Sequence, residues 1–165
     1  MNQNYNLATN TNFRFEVTPP GFDPTDKINF FIQTMDLPSI TVSPAETANF
    51  LSKKIFVPGD HIEYDDLLFS FLISEDYANY IAIFDWLIAS AQHEDEDHRK
   101  YMTDCNLHVL SNNKSSNLIF TFYNCFPTNM GNVSYDSSSI DPIAFTCPVT
   151  FKYQYFKIKR IAESV

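Results

Sequence analysis

The feature that most constrains the fold is an alternation of apolar and polar residues that recurs along the chain. Residues 13–17 read FRFEV, and residues 145–155 carry Phe, Cys, Val, Phe, Tyr and Tyr at every second position. A period of two is typical of a β-strand with one buried face. Pro148 in the second segment predicts an edge position or a bulge. Further strands are predicted over residues 29–33, 50–57, 67–73, 105–110 and 117–125, and another starting at Val133 and Tyr135.

One segment instead has the period of an amphipathic helix. Ser74 is a suitable N-cap, and Glu75 and Asp76 place negative charge on the first turn, where the helix dipole favours it. Acidic residues 94–97 would be unfavourable at a helix C-terminus, so the helix is predicted over about residues 76–92. Apolar residues recur in it at spacings of three and four and form one stripe: Tyr77, Tyr80, Ile81, Phe84, Leu87, Ile88 and Ala91.

The chain of 165 residues is one ordinary domain with room for a hydrophobic core. Residues 1–12 are polar and rich in Asn, which predicts a flexible N-terminal arm. Residues 13–156 form the single domain, and residues 157–165 form a basic C-terminal tail that clamps an acidic neighbour or frays. One helix among about eight strands predicts a mainly β fold, a two-sheet antiparallel β-sandwich or barrel with a flanking helix.

Composition excludes several classes of function. With 3 glycines, the chain is unlike dinucleotide-binding folds and phosphate-binding loops, which need glycines at fixed spacing. The net charge of −9 argues against tight binding to a nucleic-acid backbone, and residues 51–104 hold most of it, with 4 basic and 12 acidic groups. No stretch is apolar enough to span a membrane, and no secretory signal is visible. Cys105, Cys125 and Cys147 lack zinc spacing and are expected to be buried thiols in a reducing compartment.

Candidate catalytic and metal-binding groups are few. His93 and His98 flank an acidic run, but they are five residues apart rather than the four that place two ligands on one helical face, so a solvated loop is favoured. Glu63, Asp65 and Asp66 suit a cation or an acid–base pair, but alternation along a strand points two of them apart, and a solvated edge is favoured. We therefore expect no catalytic residue, no metal ligand and no cofactor, and the protein is predicted not to be an enzyme.

An ordered set of motifs resembles the tail tube protein family of contractile-tailed, T4-like bacteriophages, or a closely related tube-fold baseplate protein. The turn from Phe126 to Gly131 (FPTNMG), which leads into a strand pair, is the most specific of these motifs. The resemblance spans residues 13 to 156. The other motifs are FRFEV at 13–17, LPSI at 37–40, KIFVPGD at 54–60, YDDLLFSF at 64–71, FDWL at 84–87 and the strand at 145–155.

The resemblance implies a structural virion protein. Six copies would form a ring, and stacked rings would form the tail tube through which DNA is ejected. The implied partners are other copies of the chain, the tail sheath and baseplate proteins, with no membrane. The implied location is the virion tail, assembled in the cytoplasm of the bacterial host. Baseplate tube initiators and secretion-system tube proteins share this fold, so the motifs leave them open as alternatives. A small metal-dependent hydrolase and a monomeric binding module are the rival classes.

Two segments of the chain are expected to contact neighbouring copies. In such families the excursion from Glu46 to Asp60 reaches the adjacent ring, although a hairpin with one buried face explains its apolar residues equally well. The strand over residues 145–155 is expected to have an exposed edge that pairs with a neighbouring copy. The candidate contact residues are Glu46, Phe50, Leu51, Ile55, Phe56, Val57, Phe145, Tyr153 and Tyr155.

The acidic charge suggests how DNA would pass without adhering. A lumen lined by carboxylates repels phosphates, and Glu63, Asp65 and Asp66 are the candidate lumen-facing residues. DNA would then cross the lumen without specific binding. An outer acidic surface that binds a basic sheath explains the same charge equally well.

Overall fold

The computed structural model describes residues 11–21, 31–48, 54–92, 97–111, 114–138 and 143–161. The strands are β1 (Phe13–Glu16), β2 (Phe31–Asp36), β3 (Ile40–Val42), β4 (Ala45–Ala48), β5 (Lys54–Val57), β6 (Ile62–Tyr64), β7 (Leu67–Leu72), β8 (Thr103–Leu110), β9 (Ser116–Met130), β10 (Thr146–Lys152) and β11 (Tyr155–Arg160). The helix α1 covers Ala78–Ala91, and a short 3₁₀ helix covers His98–Tyr101.

The long strand β9 holds two antiparallel sheets together. Its first part pairs with β8 and β11, and β1 extends this first sheet beyond β8. Its last part pairs with β10, and β7 and β2 follow in the second sheet. The inner residues of the two sheets meet, as Phe15 of β1 and Phe69 of β7 do with ring centroids 5.1 Å apart. The predicted mainly β, sandwich-like fold with one flanking helix is therefore confirmed.

The core is aromatic because alternate residues of each strand point into the space between the sheets. Along β7, every second residue is buried, beginning with Leu67. Phe71, Phe122 and Phe151 are fully buried, and each contributes about 1.5–3 kcal/mol through the apolar area removed from water. The Trp86 ring of α1 meets the Phe151 ring edge-on at 5.1 Å, so the helix packs directly on this core.

The helix forms where it was predicted but packs on a different face. Its buried residues are Asn79, Ala82, Ile83 and Trp86, whereas Ile81 is 50% exposed and Phe84 is 46% exposed. The apolar stripe that contains Ile81 and Phe84 is therefore not the face that packs on the core. Polar anchors decide the orientation, since Asn79 donates to the Leu72 carbonyl at 2.8 Å and the Trp86 indole donates to the Tyr101 carbonyl at 2.7 Å.

The start of the helix also differs from the prediction. Tyr77, in a left-handed conformation with φ of 56°, precedes the first helical residue, and its side chain makes no capping hydrogen bond. Ser74 instead donates through its backbone N–H and its hydroxyl to the Asn79 side-chain oxygen, each at 3.1 Å. Ser74 therefore fixes the approach to the helix through a buried side chain of its first turn.

The C-terminal alternation belongs to two strands rather than one. It breaks at Tyr153 and Gln154, where β10 of the second sheet ends and β11 of the first sheet begins. The expected exposed edge was wrong for β10, which lies between β7 and β9. Pro148 occupies this inner strand just before its first register pair with β9, and a register shift follows at Thr150 and Phe151. The expected bulge is thus present, but Pro148 does not mark an edge.

Three smaller expectations have clear outcomes. The segment around Val133 and Tyr135 is irregular and not a strand. Residues 157–160, assigned to a basic tail, continue β11 along β9. Cys105, Cys125 and Cys147 are buried free thiols, as predicted, and desolvation raises the pKa of Cys105 well above its usual range. Among the described residues, no helix has the length and apolar character needed to cross a membrane.

Candidate interaction surface

Residues 40–48 and 54–64 form a long hairpin that is separate from the two sheets. Within it, β3 pairs with β6 and β4 pairs with β5. None of these four strands pairs with a strand of the first or second sheet. A two-stranded ribbon has no second layer to cover it, and such ribbons are marginally stable on their own. Among the described residues, no third strand therefore extends either ribbon of the long hairpin.

The long hairpin is rich in uncovered apolar side chains. Opposite residues in its register, Ile40 with Tyr64 and Val42 with Ile62, point to the same face of the ribbon. Phe56 is 62% exposed on the second ribbon. Contiguous apolar side chains in this number are typical of a protein–protein contact. The exposed large apolar residues of the long hairpin are Ile40, Val42, Ile55, Phe56, Val57 and Ile62.

Gly59 lies where the two ribbons of the long hairpin meet, at a position with no room for a side chain. A Cβ atom at this position would collide with the Ser43 carbonyl oxygen, which belongs to the backbone, so the main chain would have to shift. Only glycine permits this approach between the segment that follows β5 and the segment that follows β3. The relative placement of the two ribbons thus depends on one residue.

The base of the long hairpin is fixed to the sandwich by polar and aromatic contacts. The Asp65 N–H donates to the Ser39 carbonyl at 3.2 Å, and the Ser39 hydroxyl donates to the Asp65 carboxylate. The Tyr64 ring lies 5.9 Å from the Tyr153 ring and 5.7 Å from the Phe156 ring. The ribbons therefore project from an anchored base.

The structure brings together part of the predicted contact set. Ile55, Phe56 and Val57 lie on β5. Glu46 on β4 forms an ion pair with Lys54, whose Nζ lies 3.0 Å from Glu46 Oε2. Phe50 and Leu51 lie outside the described residues. The sequence analysis missed Ile40, Val42 and Ile62, which share the exposed character of the predicted residues. The ITV alternation that begins at Ile40 was the signal for Ile40 and Val42, and the alternation in IEY at residues 62–64 was the signal for Ile62.

The three C-terminal members of the predicted set lie elsewhere. The Phe145 ring contacts the ring of Tyr135 at 4.7 Å. Tyr153 is half-buried against Phe122, and burial raises its pKa to about 12. Tyr155 stacks on Tyr123 of the neighbouring strand at 4.7 Å. Of the three, Tyr153 touches the base of the long hairpin, and none lies on its ribbons.

Each of the three candidate lumen carboxylates has a different neighbour. Asp66 forms an ion pair with Lys152 of β10, and Asp65 accepts the Ser39 hydroxyl at the hairpin base. Glu63 lies on β6, 3.8 Å from the His61 ring. Across the described ranges, no three His, Cys, Asp or Glu side chains come together as a metal-binding group.

Comparison with known proteins finds relatives that match nearly the whole chain. No protein-family profile matches the chain. It is 23% identical to the tail tube terminator protein of Enterobacteria phage T4 over 166 residues, which cover 97% of this chain and 93% of that protein. A sheath/tube terminator of an extracellular contractile injection system (PVC), in the extended state, superposes with a TM-score of 0.70 at 14% identity, over 95% of this chain and 99% of that one.

A third relative agrees with these two. The tube-terminating cap of the anti-feeding prophage (AFP) superposes with a TM-score of 0.70 at 14% identity, over 98% of this chain and 95% of that one. The superpositions establish a shared fold across nearly the whole chain. The resemblance to tube-fold proteins of contractile tails, expected from the ordered motifs, is therefore confirmed.

Proposed function

We propose that this chain, which has the tube fold of contractile-tail proteins, is a tube terminator: a subunit of a ring that caps one end of a tail tube. The long hairpin is the observation that carries the proposal, because its apolar residues are exposed on two ribbons that the sandwich does not cover. A ring of such subunits would lay its hairpins on the last ring of the tube, where these residues would be removed from water.

A tube terminator differs from the repeated tube subunit that the sequence motifs predict, although both belong to the same tube. The ordered motifs favoured the repeated tube subunit, with a baseplate initiator or a secretion-system tube protein as the alternatives, and a terminator was not among them. The match to the T4 tail tube terminator covers nearly the full length of both proteins. Two solved structures with the same fold are also described as tube terminators. These three relatives support the terminator over the repeated subunit.

The remaining parts of the proposal concern partners and role. The partners are other copies of this chain in a ring of six, the last ring of the tail tube, and the sheath end. DNA crosses the lumen without specific binding, and the site of action is the virion tail, after assembly in the host cytoplasm. The role is structural rather than enzymatic. The surface features that support it are the apolar long hairpin and the edge of β11 that has no partner strand among the described residues, both of which suit assembly.

Electron microscopy of the purified protein, alone and with the tube subunit of the same tail, tests the proposal. We expect single rings from the protein alone, and tubes that carry one ring at an end and stop growing when it is added. Continuous tubes formed by this chain alone would identify a repeated tube subunit instead. A chain that stays monomeric at high concentration and leaves tube growth unchanged would contradict any role in the tube.

A matched pair of variants makes this test specific to the long hairpin. Phe56→Ser removes the most exposed aromatic residue of the hairpin, and Leu68→Ser removes a 44% exposed apolar side chain from β7 of the sandwich. We expect the Phe56 variant to form rings but to lose capping of tubes, whereas the Leu68 variant retains capping. Equal capping by both variants would show that the long hairpin is not the tube contact.

A further inference from the structure

The outward face of α1 carries an apolar ridge that the described residues leave partly exposed. We define this helix ridge as Ile81, Phe84 and Ile88, whose spacings of three and four residues place them in one line on α1. Ile81 and Phe84 are about half exposed. The opposite face of the same helix is the one buried on the core, so packing within the chain does not explain the ridge. The spacing is that of a seam that packs against another surface.

The surroundings of the helix ridge are acidic. From Ser74 to Asp97 the sequence has no Lys or Arg. Glu75, Asp76, Asp85 and Asp97 are exposed at the helix and its ends. Two copies of the ridge packed on each other would bring these carboxylates together, which like-charge repulsion disfavours. The surface that covers the ridge must therefore be both apolar and basic.

The chain has such a surface on β11. We define the basic edge as residues 157–160, with sequence KIKR, together with Ile161. Ile158 is 57% exposed, and no Asp or Glu occurs between residues 142 and 162. β11 pairs with β9 on one side, and its other side has no partner strand among the described residues. The ion pairs among the described residues do not include Lys159 or Arg160.

We infer that the helix ridge of one copy is covered by the basic edge of the next copy, and that this contact closes the ring. The inference rests on the proposed function for the existence of a ring. The helix ridge and the basic edge are different surfaces of one chain. A dimer held by one such contact therefore has a free helix ridge at one end and a free basic edge at the other. A head-to-tail contact of this kind is completed only by ring closure. Charge complementarity fixes the register, and Ile161, which continues the face of β11 that carries Lys159, supplies apolar area against Ile81 and Phe84.

Charge exchange between the two surfaces tests the contact. We expect Asp85→Lys and Lys159→Glu each to raise the dissociation constant for self-association about tenfold, because each replaces attraction by repulsion. The double variant D85K/K159E restores the opposite charges and should return the constant to within about threefold of the original. Sedimentation velocity at several protein concentrations measures all three. Arg14→Glu makes the same charge change on β1, at the other edge of the first sheet, and should shift the constant less than about twofold.

A second variant tests the apolar part of the contact without changing charge. Phe84→Ala should weaken self-association about tenfold, because an aromatic residue at the centre of a contact contributes more than its neighbours. Its side chain faces away from the core, so its thermal unfolding should match the original chain within a few degrees, which separates lost contact from lost folding.

The outcomes separate this contact from the proposed function. Restored association in the double variant, with weak association in both single variants, supports the contact. Rings that form equally well in all variants overturn the contact and leave the terminator proposal intact. A wild-type chain that never associates, alone or on tubes, overturns both.

Discussion

The sandwich and the long hairpin have the same alternating pattern but opposite fates for their apolar residues. In β7 the alternation buries Leu67, Phe69 and Phe71, because a second sheet lies across that face. In the long hairpin the ITV alternation of β3 leaves Ile40 and Val42 in contact with water, because the described residues place no further strand beside this ribbon. Alternation therefore specifies which residues share a face, and only tertiary packing decides whether that face is buried within one chain or between chains.

The largest expected effect lies in the core of the sandwich. Phe151 is fully buried and its ring contacts those of Phe69 and Trp86. We expect Phe151→Ala to lower the free energy of unfolding by about 3–5 kcal/mol, from lost burial and the cavity it leaves. Urea denaturation followed by tryptophan fluorescence measures the change.

The matched change in the long hairpin sharpens the comparison. Phe56→Ala removes the same ring from a site that is mostly exposed, and we expect less than about 0.5 kcal/mol in the same assay. A loss for Phe56→Ala close to that for Phe151→Ala would mean that the long hairpin folds onto the sandwich and is not a separate surface.

An intermediate effect is expected at the anchor of the helix. Asn79 is fully buried, and its side chain makes hydrogen bonds to Ser74 and to the Leu72 carbonyl. Asn79→Ala leaves these buried groups unpaired and should cost about 2 kcal/mol in thermal or urea unfolding. Ser74→Ala removes the hydroxyl bond alone and should cost less than about 1 kcal/mol. Equal costs would show that the hydroxyl, rather than the amide, holds the helix face.

Local patterns in the sequence predicted much of the sandwich. Residues 13–17, the apolar run at 67–73 and the hairpin of 105–110 with 117–125 all form strands. The last of these continues to Met130, so residues 126–130, predicted as part of a turn, belong to β9. Each pattern is local and its period is set by backbone geometry, so one segment is enough to identify it. The division of residues 145–155 was missed because no Gly or second Pro marks the break at Tyr153. The break arises where the chain leaves one sheet for the other.

The candidate site was less predictable for a related reason. The helix α1 is apolar on two sides, so the spacing of Ile81 and Phe84 fits a core face and an interface equally well. The orientation depends on hydrogen bonds from Asn79 and Trp86 to groups outside the helix. Such long-range contacts leave no periodic signal in the sequence. The apolar residues of 54–57 were identified as contacts from the family resemblance, whereas their exposure required the structure.

A smaller effect, with a dependence on pH, is expected for Tyr153. Its hydroxyl is buried without a hydrogen-bond partner among the described residues, and burial raises its pKa to about 12. The unfolded phenol ionises near pH 10, so between about pH 10 and 12 the unfolded state loses its proton first and stability falls. Tyr153→Phe should remove this part of the alkaline loss and add about 0.5–1 kcal/mol at pH 7. Urea titrations at pH 7 and pH 10.5 measure both, and an unchanged alkaline loss in the variant would contradict the assignment.

The smallest effect on the stability of the sandwich is expected for a substitution at Gly59. This substitution tests the long hairpin by itself. Any Cβ at this position collides with the Ser43 carbonyl oxygen, so Gly59→Ala forces the two ribbons apart. Because the ribbons share no strand pairing with the sheets, the free energy of unfolding should change by less than about 0.5 kcal/mol while capping of tubes is lost. Gly21→Ala is the control, since its added Cβ meets no atom within 4 Å and its cost comes from a φ of +85° alone. A Gly59 variant that caps tubes normally would show that the tube contact does not depend on the placement of the ribbons, and the contrast between sandwich and long hairpin would lose its functional meaning.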